Sequence, residues 1–334
     1  MPLPRLLLLA LSLIPVLAAP GPPFVQPNAA LLGFQGAALV VQRREGYELL
    51  PEVVWLDARS GEVRRSVRLE GAARGGYPPT LSPDGAVLAL QHGSGVSLWR
   101  LADGQPWPFP PDPAGSPAIH SVAFDAAGHH MAVGRSPGYA QLWDLHTGRR
   151  LRSFVGHAAP VSALGLAGGR LLSAARDGTV RVWDTATGAA LATERVSGNS
   201  NGRAVGAAVL TPDGGTYAAL TTDGEVWLGR VGKRGLTRLD VDNGRDLALN
   251  AAGDLLAVSG HSERGLAVVD LRTGQIRARL PNGSAFGRGQ RVAWAPWGDL
   301  LAEQIGNGQG ATSSDVQVRP LALPAKLVGT GGRP

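Results

Sequence analysis

Along the chain, short apolar runs alternate with polar turns, and the turns return at near-regular intervals. One kind of turn ends in Gly: Ser82-Pro83-Asp84-Gly85, Asp125-Ala126-Ala127-Gly128, Thr211-Pro212-Asp213-Gly214, Asn250-Ala251-Ala252-Gly253 and Ala295-Pro296-Trp297-Gly298, with weaker members at Gly36 and Gly169. Successive members lie 39 to 49 residues apart. Pro presets φ for the turn, Asp caps local amides, and Gly accepts positive φ. Apolar runs on both sides of each turn predict β-hairpins.

A second series interleaves with the first. A strand ends in an aromatic or apolar residue, and Gly follows five positions later: Leu56/Gly61, Trp99/Gly104, Trp143/Gly148, Trp183/Gly188, Trp227/Gly232 and Val269/Gly274, with a degraded seventh copy at 316–319. The two series define a unit of about 42 residues holding four strands, as the repeat reading requires. No helical period competes. Four short strands cannot bury both faces alone, but stacked around an axis each sheet packs on two neighbours. The prediction is an all-β fold, a seven-bladed β-propeller of four-stranded antiparallel blades over 28–330.

One unit is more specific. Val155-Gly156-His157, Leu171-Leu172-Ser173 and Asp177-Gly178-Thr179-Val180-Arg181-Val182-Trp183-Asp184 resemble a Trp-Asp (WD) repeat. Trp143-Asp144 is a second match, and Leu56-Asp57 and Val269-Asp270 are partial ones. The resemblance implies a buried hydrogen-bonded set of His157, Ser173, Asp177 and Trp183. The other units depart from the pattern.

Met1 to Ala19 reads as a secretory signal: Arg5, an apolar run over 6–17, and small residues at Val16 and Ala18 for cleavage. The chain is thus expected to be an exported, bacterial-type member of the family, periplasmic or secreted. The alternative is an uncleaved membrane anchor, although the run is short for a span. Residues 20–27, with Pro20, Pro22, Pro23 and Pro27, are expected to form a spacer. Proline lacks the ladder donor, so the last blade is expected to close with its own C-terminal segment, Ala325-Lys326-Leu327-Val328. Residues 24–26 would add at most a few hydrogen bonds. The junction of blades 7 and 1 would then be the weakest seam.

Composition adds exclusions. The absence of Cys removes disulfides, thiolate metal sites and Cys nucleophiles. Net charge is +6, and the only lysines are Lys233 and Lys326. The arginines are spread along the chain, which suits solvated sheet edges and not a nucleic-acid surface. Walker loops, zinc-protease helices and nucleophile elbows are missing. His129 and His130 begin a strand and point to opposite faces, poor geometry for a shared metal. Asp240-Val241-Asp242-Asn243-Gly244 lacks the later Glu of a calcium loop.

Eight Trp residues sort by position. Trp99, Trp143, Trp183 and Trp227 read as equivalent core positions, Trp55 as packed between blades, and Trp294 as part of an apolar strand. Trp107 in a proline loop and Trp297 in a hairpin turn are candidate partner contacts. The inner strands read as poor in polar groups. These features favour a non-catalytic extracytoplasmic scaffold for one or more proteins, with no cofactor, metal or catalytic residue. A propeller enzyme or small-ligand binder with its site in the central funnel is the alternative.

Overall fold

The structure is a computed structural model. It describes residues 24–45, 48–72, 79–110, 116–196, 204–241, 243–260, 265–280, 289–306 and 314–321. The leader therefore lies outside the described residues, as do the candidate C-terminal strand at 325–328 and Asp242.

Seven four-stranded antiparallel sheets form in chain order, and the described residues contain no helix. Blades 1 to 6 occupy 29–68, 80–107, 119–155, 161–195, 205–238 and 244–280. Strands at 289–294, 300–306 and 314–320 build most of blade 7. The first strands of successive blades neighbour one another and surround the axis. Each blade is a simple meander. Its first and third turns therefore share one end of the ring, and its middle turn shares the other end with the link to the next blade. Gly85 at φ +71° and Gly188 at +82° show the backbone that the two turn series require.

Cores form between blades. Each of seven clusters joins facing sides of two adjacent sheets, such as Ala132, Leu142 and Phe154 of blade 3 with Leu164, Leu171 and Trp183 of blade 4. Burying one such Leu stabilises by about 1.5–3 kcal/mol. Alternation along each strand sends successive residues to opposite neighbours, which is why Trp55 meets blade 2 while Leu56 meets blade 7.

The fourth strand of blade 7 comes from the other end of the chain. Phe24–Gln26 pairs antiparallel with the strand Ser314–Pro320, with Phe24 opposite Val318 and Gln26 opposite Val316. This corrects the expected spacer at 24–26, which forms the outer edge strand of blade 7; the segment expected to close that blade, 325–328, lies outside the described residues. Pro27 follows the strand and does not interrupt it, and an outer edge tolerates proline. Phe24, Leu31, Leu56, Ala302 and Val318 share one core across the seam. Leu31 N–H donates to Gln304 Oε1 at 2.9 Å, and Ser314 Oγ donates to Ala29 O at 3.1 Å. The expectation of a weak seam loses its premise.

Two further readings change. Pro106–Trp107, placed in a loop by sequence, is the short outer strand of blade 2. Trp227 is not equivalent to the other three tryptophans. Leu171 faces Trp183 across blade 4, and the matching pair in blade 5 is Tyr217 and Gly229. Trp227 lies two residues earlier on the same strand, partly buried on the blade 4–5 core. The Trp–Gly spacing misled because the turn after Arg230 differs in length.

Candidate functional site

The four residues of the best-formed repeat converge in blade 4. Leu171 lies opposite Trp183, so Ser173, two residues on, shares the indole's face. The turn after Ala175 presents Asp177, with Gly178 N–H donating to Ala175 O at 3.2 Å. His157 precedes the inner strand and reaches both. Trp183 Nε1–H donates to Ser173 Oγ at 2.9 Å, and Ser173 Oγ lies 2.8 Å from His157 Nε2. His157 Nδ1 lies 2.9 Å from Thr179 Oγ1 and 3.2 Å from Asp177 Oδ2. Ala158 N–H donates to Asp177 Oδ2 at 2.8 Å, and Thr179 N–H donates to Oδ1 at 2.9 Å.

A neutral imidazole with its proton on Nδ1 satisfies every partner. Ser173 then accepts from the indole and donates to Nε2. Burial lowers the His157 pKa and outweighs Asp177, which keeps the ring neutral. Burial pushes the Asp177 carboxyl up, but hydrogen bonds from Thr179 and Ala158 outweigh it and hold it below the usual range. The Ser–His–Asp connectivity is that of a hydrolase relay. Access decides otherwise. Ser173 is 1% exposed and the His157 side chain 1%, so no substrate carbonyl can approach Oγ. The set fastens the link between blades 3 and 4 to the hairpin of blade 4.

Other blades fill these positions differently. In blade 7, Leu301 faces Arg319, so Arg319 stands where blade 4 has Trp183, and Glu303 stands where it has Ser173. Glu303 is 1% exposed and neither of its carboxylate oxygens has a hydrogen-bond partner. Arg319 Nη2 lies 3.8 Å from Oε2. Burial pushes the Glu303 carboxyl up to about 7 despite that guanidinium.

The two candidate contact tryptophans separate. Trp107 is half-buried, and its indole N–H points to Leu145 O of blade 3 at 3.4 Å. Its register position is that of Arg65 in blade 1 and Arg152 in blade 3. Arg65 donates to Ala102 O at 2.6 Å, and Arg152 donates to Thr187 O at 3.0 Å. All three side chains clamp one blade to the third turn of the next. Trp297 remains 37% exposed. Phe34 meets its ring edge-on at 6.3 Å, and the Arg59 guanidinium lies 5.9 Å from it. Arg59 also pairs with Asp299 at 2.9 Å. This aromatic corner sits where blades 7 and 1 meet, at the end of the ring carrying the first and third turns.

The funnel is more polar than the sequence suggested. A channel of about 760 Å³ is lined by Ala30, Ser121, Ala163 and Ala207 on one side and by Asp246 and Arg291 on another. Arg44, His120 and Arg176 also line it. Arg291 Nη1 donates to Leu31 O at 2.9 Å and Pro79 O at 3.1 Å, which ties blade 7 to blades 1 and 2. Burial lowers the Arg291 pKa and raises that of Asp246. Asp246 and Arg291 were missed because each stands beside another polar residue, Arg245 or Gln290, at the start of a strand whose remainder is apolar, and so reads as part of a solvated strand end. Their shared place, two residues after a Gly that opens an inner strand, was the available signal.

His130 hydrogen-bonds Asp125 through Nδ1 at 2.8 Å. Among the described residues, no three His, Asp or Glu side chains gather as metal ligands. No helix among them is long and apolar enough to cross a membrane.

Comparison with known proteins agrees with this geometry. Residues 148–184 match the family described as WD domain, G-beta repeat. Telomerase protein component 1 of Rattus norvegicus is 35% identical over 106 residues, 31% of this chain and 4% of that protein. Autophagy-related protein 16 of Arabidopsis thaliana is 32% identical over 109 residues, covering 32% and 21%. Protein groucho of Drosophila melanogaster is 29% identical over 140 residues, covering 40% and 19%. The chain thus spans about a fifth or less of these relatives' lengths. The chain is thus a seven-bladed β-propeller, and its fourth blade carries a repeat that matches the WD domain family.

Proposed function

We propose that this protein is a non-catalytic interaction scaffold that works outside the cytoplasm and binds one or more proteins through the corner formed by Trp297, Phe34 and Arg59. The observation that carries this reading is the exposure of Trp297 in a turn where sister blades place Asp84, Ala127 or Asp213. A large ring left in water lowers solubility and is enriched at the centres of interfaces. The neighbouring phenyl edge and guanidinium give that ring a fixed pose. The WD-repeat relatives are consistent with such a role. The apolar leader over 1–19 supports export.

Capture of partners from the protein's own envelope fraction tests the reading. Wild-type protein should retain a partner that the Trp297→Ala variant releases, with unchanged melting of the variant. A partner held equally by both, or none held by either, overturns it. Intact mass of the exported form tests the location: a retained Met1 defeats cleavage near Ala18.

A further inference from the structure

Asp246 and Arg291 occupy the same tier of adjacent inner strands: Asp246 pairs with Ser259, and Arg291 pairs with Gln304, each just after the strand's bulge. Their charges are close enough to shift one another, yet no ion pair joins them. Each is held from behind by backbone. Val292 N–H donates to Asp246 Oδ2 at 3.1 Å, and Arg291 gives Nη1 to Leu31 O and Pro79 O. That leaves Nε and Nη2 of Arg291, while the Leu247 amide adds a second backbone contact to the Asp246 carboxylate, whose oxygens are not sealed, partnerless atoms and can accept further hydrogen bonds. Both residues line the channel, and both keep some accessible surface although they sit deep in the ring.

The same tier elsewhere carries Ala30, Ser121, Ala163 and Ala207. Small side chains there leave the channel open on the side facing the charges. Its volume of about 760 Å³ falls in the range of small-molecule sites, roughly 300–1,000 Å³. Nearer the mouth, Arg176 is exposed and close enough to His120 to lower its pKa, second to burial.

We propose that the channel is a binding chamber for an acidic α-amino acid. Its α-carboxylate sits on the open edge of Arg291, its ammonium on Asp246, and its side-chain carboxylate points to Arg176 at the mouth. A fixed guanidinium fork suits a carboxylate. An opposite charge on the same tier, unpaired with it, suits a ligand carrying both signs. An anion alone would leave Asp246 buried and repelled.

Calorimetric titration of the full chain with L-glutamate tests this, with glutarate, which lacks the ammonium, as the second probe. Saturable binding of L-glutamate is expected, with glutarate at least about tenfold weaker, the equivalent of 1.4 kcal/mol. Asp246→Asn, which keeps an acceptor for Val292, should weaken L-glutamate by a similar factor without weakening glutarate. Arg176→Ala should weaken both probes. If Asp246→Asn fails to fold, as its melting curve would show, Arg176→Ala and the two-probe comparison carry the test. The proposal is overturned by absent saturable L-glutamate binding, by equal affinity for the two probes, or by binding that Arg176→Ala leaves unchanged.

Discussion

The phenol ring of Tyr217 fills the space above Gly229: a Cβ built on Gly229 would stand 2.2 Å from the Tyr217 ring carbon Cζ. Blade 4 has Leu171 opposite Trp183 at this register, so blade 5 has moved the large ring to the neighbouring strand. Tyr217 is 1% exposed and belongs to the core between blades 4 and 5. Interface volume is conserved although the repeat residue is lost.

Gly229→Ala should therefore destabilise by about 1–3 kcal/mol through overpacking. Tyr217→Leu should remove the clash at its own cost, so the double variant should be less destabilised than the sum of the singles. Denaturant melts of the four proteins measure this coupling. Additive effects would mean that ring and glycine do not share one space.

Trp183→Ala should cost on the order of 3–5 kcal/mol, since it removes a buried indole and leaves Ser173 without its donor. Trp183→Phe keeps most of the ring and should cost less. Asp177→Ala should lower the melting temperature more mildly, through His157 and Thr179. If Trp183→Ala and Asp177→Ala both melt with wild type, the hydrogen-bonded set does not stabilise the blade.

Glu303 gives a pH dependence with a definite sign. Its carboxyl titrates at about 7 in the fold, against an ordinary value of 4.5. Between these values the folded state holds a proton that the unfolded state has lost. Stability should therefore fall as pH rises from about 4.5 to 7 and level off above. The loss is of the order of 2–4 kcal/mol. Glu303→Gln should melt higher than wild type at pH 8, and the gap should close near pH 4.5. A gap that does not change with pH would refute the assignment.

Phe24 is the latch of the ring. Its register position in blade 7 is that of Arg65 and Arg152, and its ring lies against the third turn of blade 1, where a Cβ on Gly61 would meet Phe24 Cδ2 at 2.9 Å. With the latch closed, amides in 291–319 should exchange about as slowly as those in 158–184. Phe24→Ala should speed exchange in 314–320 first and leave blade 4 unchanged. Fast exchange at 291–319 in wild type would restore the weak seam that the sequence suggested.

How much was legible in the sequence follows from what is local. Turn chemistry is local, so Asp84-Gly85 and Asp213-Gly214 announced hairpins, and their spacing counted seven blades. The blade 4 residues were legible because one motif holds His157, Ser173, Asp177 and Trp183 within a single unit. Position-by-position equivalence was not, because it depends on strand register. One changed turn after Arg230 hid the exchange of ring between Tyr217 and Gly229, and only pairing across the sheet revealed Arg319 and Glu303 in the places of Trp183 and Ser173. Closure was also beyond local reading, since residues 24–26 find their partner only after the ring has curved back on itself. The channel is the extreme case. Asp246 and Arg291 lie far apart in sequence, each at the polar start of its strand, and only the packing of blades 6 and 7 around an axis sets both charges on one tier.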